Sequence, residues 1–382
     1  YDPVANTTSL VTGTYELNYY NSTNQGSALI SHNGLVYFQG WDGSNSATEG
    51  IWSYNIVTGA LTFLFDENDI AINLSRLING KIYFIGYQNV TVYDPALPIS
   101  VSNPQSNNLT MYMYKSTVID DKIYLSVENN LISDYGFAIL DPTQAIGASN
   151  PLYVDPNSAG GCCGAEDFVK AGNGKIYMAG PTTATSPDTE LLEYNPLNST
   201  ITQMTGADLT PTLGDSSSPY VFGAAGNNLW LTLHNGTSRQ LYVLDISNPS
   251  NTPTAIDLCT GCTEYINNEG PNDAQVIGTD LYLTASAGVS PNHGIRLVKI
   301  DMTAPTGNPT PIEVTATNFA PFPGCFENIG NKLYFASETD TSPNNIAFIY
   351  DPASPVVLGT NPKPISAETV DSYPCDFVSV LY

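Results

Sequence analysis

Asn79-Gly80-Lys81-Ile82-Tyr83-Phe84-Ile85-Gly86 reads as a tight turn feeding a short strand that has no polar face. Asn-Gly supplies two residues that accept positive φ, which a two-residue hairpin turn requires. The apolar residues after Lys81 run on without alternation, the pattern of a strand covered on both sides. Working outward, the phrase returns at Leu35-Val36-Tyr37-Phe38, Ile123-Tyr124-Leu125, Ile176-Tyr177-Met178, Leu229-Trp230-Leu231, Leu281-Tyr282-Leu283 and Leu333-Tyr334-Phe335. Successive aromatic centres are 46, 41, 53, 53, 52 and 52 residues apart. A period in this range, made only of short strands, is the mark of a β-propeller.

Each unit resolves into four strands. A moderately apolar first strand, such as Phe168-Val169-Lys170-Ala171 or Tyr220-Val221-Phe222-Gly223, precedes the turn and the aromatic phrase. The third strand closes on Tyr93-Asp94-Pro95, Leu140-Asp141-Pro142, Tyr194-Asn195-Pro196 or Tyr350-Asp351-Pro352, where the Asx side chain caps its own turn. Short outer strands follow at Leu61–Leu64, Thr200–Gln203 and Pro311–Val314. No segment keeps a helical period. The class is all-β, and residues 1–382 read as one propeller domain of seven four-stranded blades. Segments 1–25 and 360–382 hold surplus strands, so an eighth blade shared between the termini, or exchange of a strand with a second molecule, is the alternative.

This pattern resembles kelch-type and related secreted or surface-layer propeller repeats over nearly the whole chain. The resemblance implies architecture and no single activity, since propellers host many functions. The kelch Gly-Gly doublet is missing: its place holds Gln39-Gly40, Ile85-Gly86, Ala179-Gly180 or Ala336-Ser337.

Composition narrows the partners. Only 12% of residues are charged, and 36 acids against 11 bases give a formal charge of −25. A polyanion repels nucleic acid and anionic lipid, so both are excluded as partners. No apolar run reaches the length of a membrane span. The chain starts at Tyr1, which fits a cleaved leader. Cys162, Cys163, Cys259, Cys262, Cys325 and Cys375 make an even set that suits disulfides in an oxidising compartment. Sequons at Asn6, Asn21, Asn73, Asn89, Asn108, Asn198 and Asn235 are glycosylation candidates. The expected location is extracellular.

Chemistry-bearing motifs are scarce. The sequence has no phosphate loop, no nucleophile elbow and no paired-histidine metal motif, and its three histidines, His32, His234 and His293, hold non-equivalent places. Asp167, Asp273, Glu327 and Asp376 fall near the starts of first strands. There they are candidates for a carboxylate set at a channel mouth, able to hold Ca²⁺ or to work as paired acids on a glycoside. No other cofactor or metal is expected. Trp41 and Trp52 are candidates for stacking on sugars, and Tyr112 and Tyr114 for contact surface. The reading these features favour is a non-enzymatic extracellular propeller that self-assembles or adheres, with itself, other surface proteins or glycans as partners. A lectin-like sugar binder and a glycoside hydrolase or lyase are the alternatives.

Overall fold

A computed structural model of the chain describes residues 15–17, 29–42, 45–66, 72–129, 134–147, 149–155, 165–181, 189–207, 219–234, 239–256, 265–266, 274–287, 294–304, 310–311, 324–339, 342–355, 357 and 361–364. They form seven antiparallel sheets, consecutive in the chain, which are the blades of a seven-bladed β-propeller. The one helix among the described residues is a single 3-10 turn, Thr205–Ala207. None of them forms a helix long and apolar enough to cross a membrane. Blades 1 to 3 belong to a compact unit built on Ser9–Gly160, and blades 4 to 7 to one built on Gly161–Cys375.

Blade 3 shows the common plan: Met111–Ile119, Lys122–Asn129, Asp134–Leu140 and Leu152–Val154 pair in chain order. The first turn is built as the sequence requires. Asn33-Gly34 and Asn79-Gly80 both take positive φ at each residue, 50° and 76° in the first pair and 52° and 77° in the second. The terminal segments are described in two places. Tyr15–Leu17 pairs with the second strand of blade 1, Leu35–Asp42, and Lys363–Pro364 is the fourth strand of blade 7. Both complete their own blades. The rest of 1–25 and of 360–382, apart from 361–364, lies outside the described residues, as do 312–314.

The marker residues are the core. Tyr37, Tyr177, Trp230 and Tyr282 are fully buried, and each packs into the neighbouring blade of its unit. Their partners repeat. Tyr37 meets Tyr93 edge-on at 5.9 Å, and Tyr282 meets Tyr350 at 5.8 Å. In each pair the second ring stands just before an Asp-Pro turn. The phrase in the second strand therefore docks on the end of the next blade's third strand. Such edge-on pairs add about 0.5–1.5 kcal/mol beyond the apolar area they bury. Trp230 satisfies its indole N–H on the Met302 carbonyl of the next blade at 3.3 Å.

One end of each sheet carries the turns between first and second and between third and fourth strands. Three of the latter turns share a device that links residues nine or ten apart. Asn150 is buried; its Oδ1 accepts the Asp141 N–H at 2.9 Å, and its amide donates to the carbonyls of Asp141, Gln144 and Ala145. Asn103 does the same for Asp94, Leu97 and Pro98, and Asn361 for Asp351, Ser354 and Pro355. Each is followed by a cis proline. Ion pairs gather at the same end: Lys122 with Asp141, Lys175 with Glu193, Lys299 with Asp280 and Lys332 with Asp351.

Candidate functional site

At the opposite end of the sheets the first strand breaks its pairing in every blade. In blades 2, 3, 4, 5 and 7 the register with the second strand slips at Ile72/Leu74, Met113/Lys115, Glu166/Val169, Val221/Gly223 and Gly324/Glu327. In blades 1 and 6 the strand is cut in two, Tyr15–Leu17 with Ile30–His32 and Tyr265–Ile266 with Ala274–Ile277. Every break falls opposite the stretch from the aromatic marker to three residues beyond it. A bulge leaves residues out of the ladder and re-aims their side chains, which is why bulges gather beside binding and active sites.

In blade 3 the slip falls at Tyr114. Burial alternates along Met111, Tyr112, Met113 and Tyr114, with the methionines buried and both tyrosines half-buried. Tyr112 stands directly across from Glu128 on the second strand. The Tyr114 hydroxyl donates to Glu128 Oε2 at 2.8 Å. Tyr87, in the turn between Lys81–Gly86 and Asn89–Tyr93 of blade 2, stacks on Tyr112 at 4.3 Å and 23° and meets Tyr114 edge-on at 5.9 Å. The Tyr87 ring is 44% exposed. Two backbone bonds fix this turn on the chain entering blade 3: Leu109 N–H to the Gln88 carbonyl at 2.7 Å and Met113 N–H to that of Tyr87 at 2.8 Å. Burial, and then donation to Glu128, push the Tyr114 phenol well above its ordinary value, so it stays a neutral donor. Three rings and one carboxylate make a partly open platform that can stack on a flat or cationic group and accept a hydrogen bond.

The residues singled out in the sequence fare unequally. Tyr112 and Tyr114 belong to this platform, while Tyr87 and Glu128 escaped notice, one in a two-residue turn and the other at a strand end. Asp167 and Glu327 both sit at first-strand breaks, Asp167 with φ 58°; Asp273 and Asp376 lie outside the described residues. No group of three or more His, Cys, Asp or Glu able to hold a metal occurs among the described residues.

Trp52 is a correction: it is 7% exposed, donates to the Gly40 carbonyl at 3.0 Å and packs edge-on against Phe63, so it is a core residue with no face for a sugar. Trp41 is placed only by its backbone, opposite Glu16. His32 faces the Asn33 amide at 2.9 Å. Of the other two histidines, His234 pairs through its backbone with Arg239, and His293 lies outside the described residues.

Among the sequons, Asn89 is also corrected, being 2% exposed with its amide turned toward Thr91 and Ser106. A glycan there would have to open the blade. Asn108 and Asn198 are exposed, Asn73 is placed by its backbone in Ile72–Ile78, and Asn6, Asn21 and Asn235 lie outside the described residues. Cys325 is placed only as part of Gly324–Ile329; Cys162, Cys163, Cys259, Cys262 and Cys375 lie outside the described residues.

No family model matches this sequence, and no curated protein does. Solved structures do resemble its fold. A puromycin-hydrolyzing peptidase of Mycobacterium tuberculosis superposes with a TM-score of 0.57 at 11% identity, covering 90% of this chain and 53% of the peptidase. A puromycin hydrolase in complex with PGG gives 0.57 at 11%, covering 91% and 54%. A prolyl endopeptidase gives 0.53 at 8%, covering 86% and 48%. This chain thus spans about half the length of the peptidases it resembles. At such identities the likeness establishes the β-propeller class. It also corrects the functional expectation: these three structures are of hydrolases, which goes against the reading of a non-enzymatic adhesive or self-assembling subunit.

Proposed function

We propose that this chain is a hydrolase-type propeller whose blades receive and position an amide substrate, peptide-like or aminoacyl. The observation that carries the reading is the superposition of nine-tenths of the chain on peptidases about twice its length. The first-strand breaks support it, because they place irregular backbone and freed side chains at a common level of every blade. Holding a substrate in one geometry removes much of the entropic barrier to its cleavage, so a rigid scaffold contributes to rate without supplying a nucleophile. The platform of Tyr87, Tyr112, Tyr114 and Glu128 is a ready contact for such a substrate.

The purified chain, incubated with a panel of aminoacyl and prolyl-peptide anilides and aryl glycosides, tests this. Saturable binding or turnover of amides is expected. Binding and turnover confined to glycosides, or confined to neither class, overturns the amide assignment. Residence outside the cell remains part of the proposal, supported by the low charge content and the even cysteine count. Intact-mass measurement after alkylation without reductant should find all six cysteines unmodified.

A further inference from the structure

We propose that Tyr87, Tyr112, Tyr114 and Glu128 form a binding site for an organic cation, a protonated or quaternary amine. The inference does not need the hydrolase reading, because binding is measured without turnover.

The chemistry of the site selects the ligand. The electron-rich rings of Tyr112 and Tyr114 lie 4.3 Å and 5.9 Å from that of Tyr87, and a cation over such a face is attracted by the ring quadrupole. Beside them Glu128 gives one oxygen to the Tyr114 hydroxyl and keeps the other for a further donor. None of the four ion pairs described above involves Glu128; all four stand at the opposite end of the sheets. A half-buried carboxylate, in a chain of net charge −25, attracts cations and repels anions. A hard divalent ion would require several oxygen ligands, and the site offers one carboxylate. A neutral sugar would stack on the rings but leave the charge standing. An organic ammonium answers both features, its alkyl or aryl part lying on Tyr87 and its positive charge facing Glu128.

The platform is also preorganised. Tyr87 is fixed by the two backbone bonds that tie its turn to Leu109 and Met113, and the Tyr114 hydroxyl by Glu128. Little freedom remains to be lost on binding, which favours affinity.

Titration calorimetry of the full chain with benzyltrimethylammonium chloride, with butylammonium chloride and with the uncharged 3,3-dimethylbutanol tests the proposal. Saturable binding of the cations is expected, weakening as sodium chloride is raised. Glu128→Gln and Tyr87→Ala should each weaken it about tenfold, within the range of a partly desolvated cation–π contact. Their melting curves must match the parent, so that lost binding is not lost folding. Dipeptide amides with a free or an acetylated amino terminus separate the sources: preference for the free form over butylammonium assigns a peptide terminus, and equal or weaker binding a small amine. The idea is overturned if neither cation binds, if the uncharged analogue binds as tightly, if Glu128→Gln binds unchanged, or if only methyl glycosides respond to Tyr87→Ala.

Discussion

The two ends of the blades are built on opposite rules. At the turn end, hairpin residues take the φ values they need, buried asparagines knit the longer connections, and four lysines meet carboxylates. At the other end strand pairing fails at one level in all seven blades, and Glu128 stands among tyrosines. The same four-stranded sheet thus carries a closely bonded floor and an irregular rim. Stability belongs to the first and recognition to the second, and substitutions can separate them.

Removing an asparagine plug should have the largest effect. Asn150→Ala deprives the Asp141 N–H and three carbonyls of their partner, and denaturant unfolding should show a loss of about 3 kcal/mol. A loss as small as that at an exposed turn would mean that the floor is less closely bonded than it looks.

Alkaline titration comes next. Burial, followed by the nearby Tyr93, pushes the Tyr37 phenol up to about 12, and burial also raises Tyr83, Tyr93 and Tyr350. A phenol raised in the folded state stabilises it fully below its unfolded value of about 10 and loses that contribution as pH climbs toward the folded value. Phenolate absorbance should therefore rise in two stages, exposed tyrosines first and the markers together with unfolding. A single smooth rise near the ordinary value would deny the markers their buried place.

A smaller effect is expected at low pH. Asp141 is held down to about 2, chiefly by the Thr143 hydroxyl and backbone N–H, with Lys122 adding attraction. A carboxylate lowered on folding stabilises above its unfolded value of about 3.9, and that share disappears as pH falls through 2. Thr143→Ala should lower stability modestly at neutral pH, with the deficit fading as pH falls through 2, and should move the acid unfolding midpoint slightly upward. An unmoved midpoint would remove the hydroxyl from the account.

The smallest effect should be at the rim. Tyr87→Ala removes a half-exposed ring from a turn and should alter stability by about 0.5 kcal/mol or less. A loss comparable to that of Asn150→Ala would erase the distinction between the two ends.

What the sequence disclosed follows the same division. The marker strands, Asn-Gly turns and Asp-Pro turns were legible because each is a local pattern of adjacent residues. The asparagine plugs were not, since Asn103, Asn150 and Asn361 sit nine or ten residues beyond their Asp, with no fixed spacing. The Tyr114–Glu128 bond depends on a slipped register, which no composition reveals. Trp52 misled because an aromatic outside the repeated phrase looks free, whereas Phe63 on the next strand covers it.

The break in the first strands carries a consequence for how such a chain changes over generations. In blades 1 and 6 the two pieces of the first strand, Tyr15–Leu17 with Ile30–His32 and Tyr265–Ile266 with Ala274–Ile277, stay aligned on one second strand although twelve and seven residues separate them in the sequence. Added length at that level disturbs no downstream pairing partner. Each break therefore offers a graft point where new loops can be tried while the marker strands keep their pairing, once in every blade.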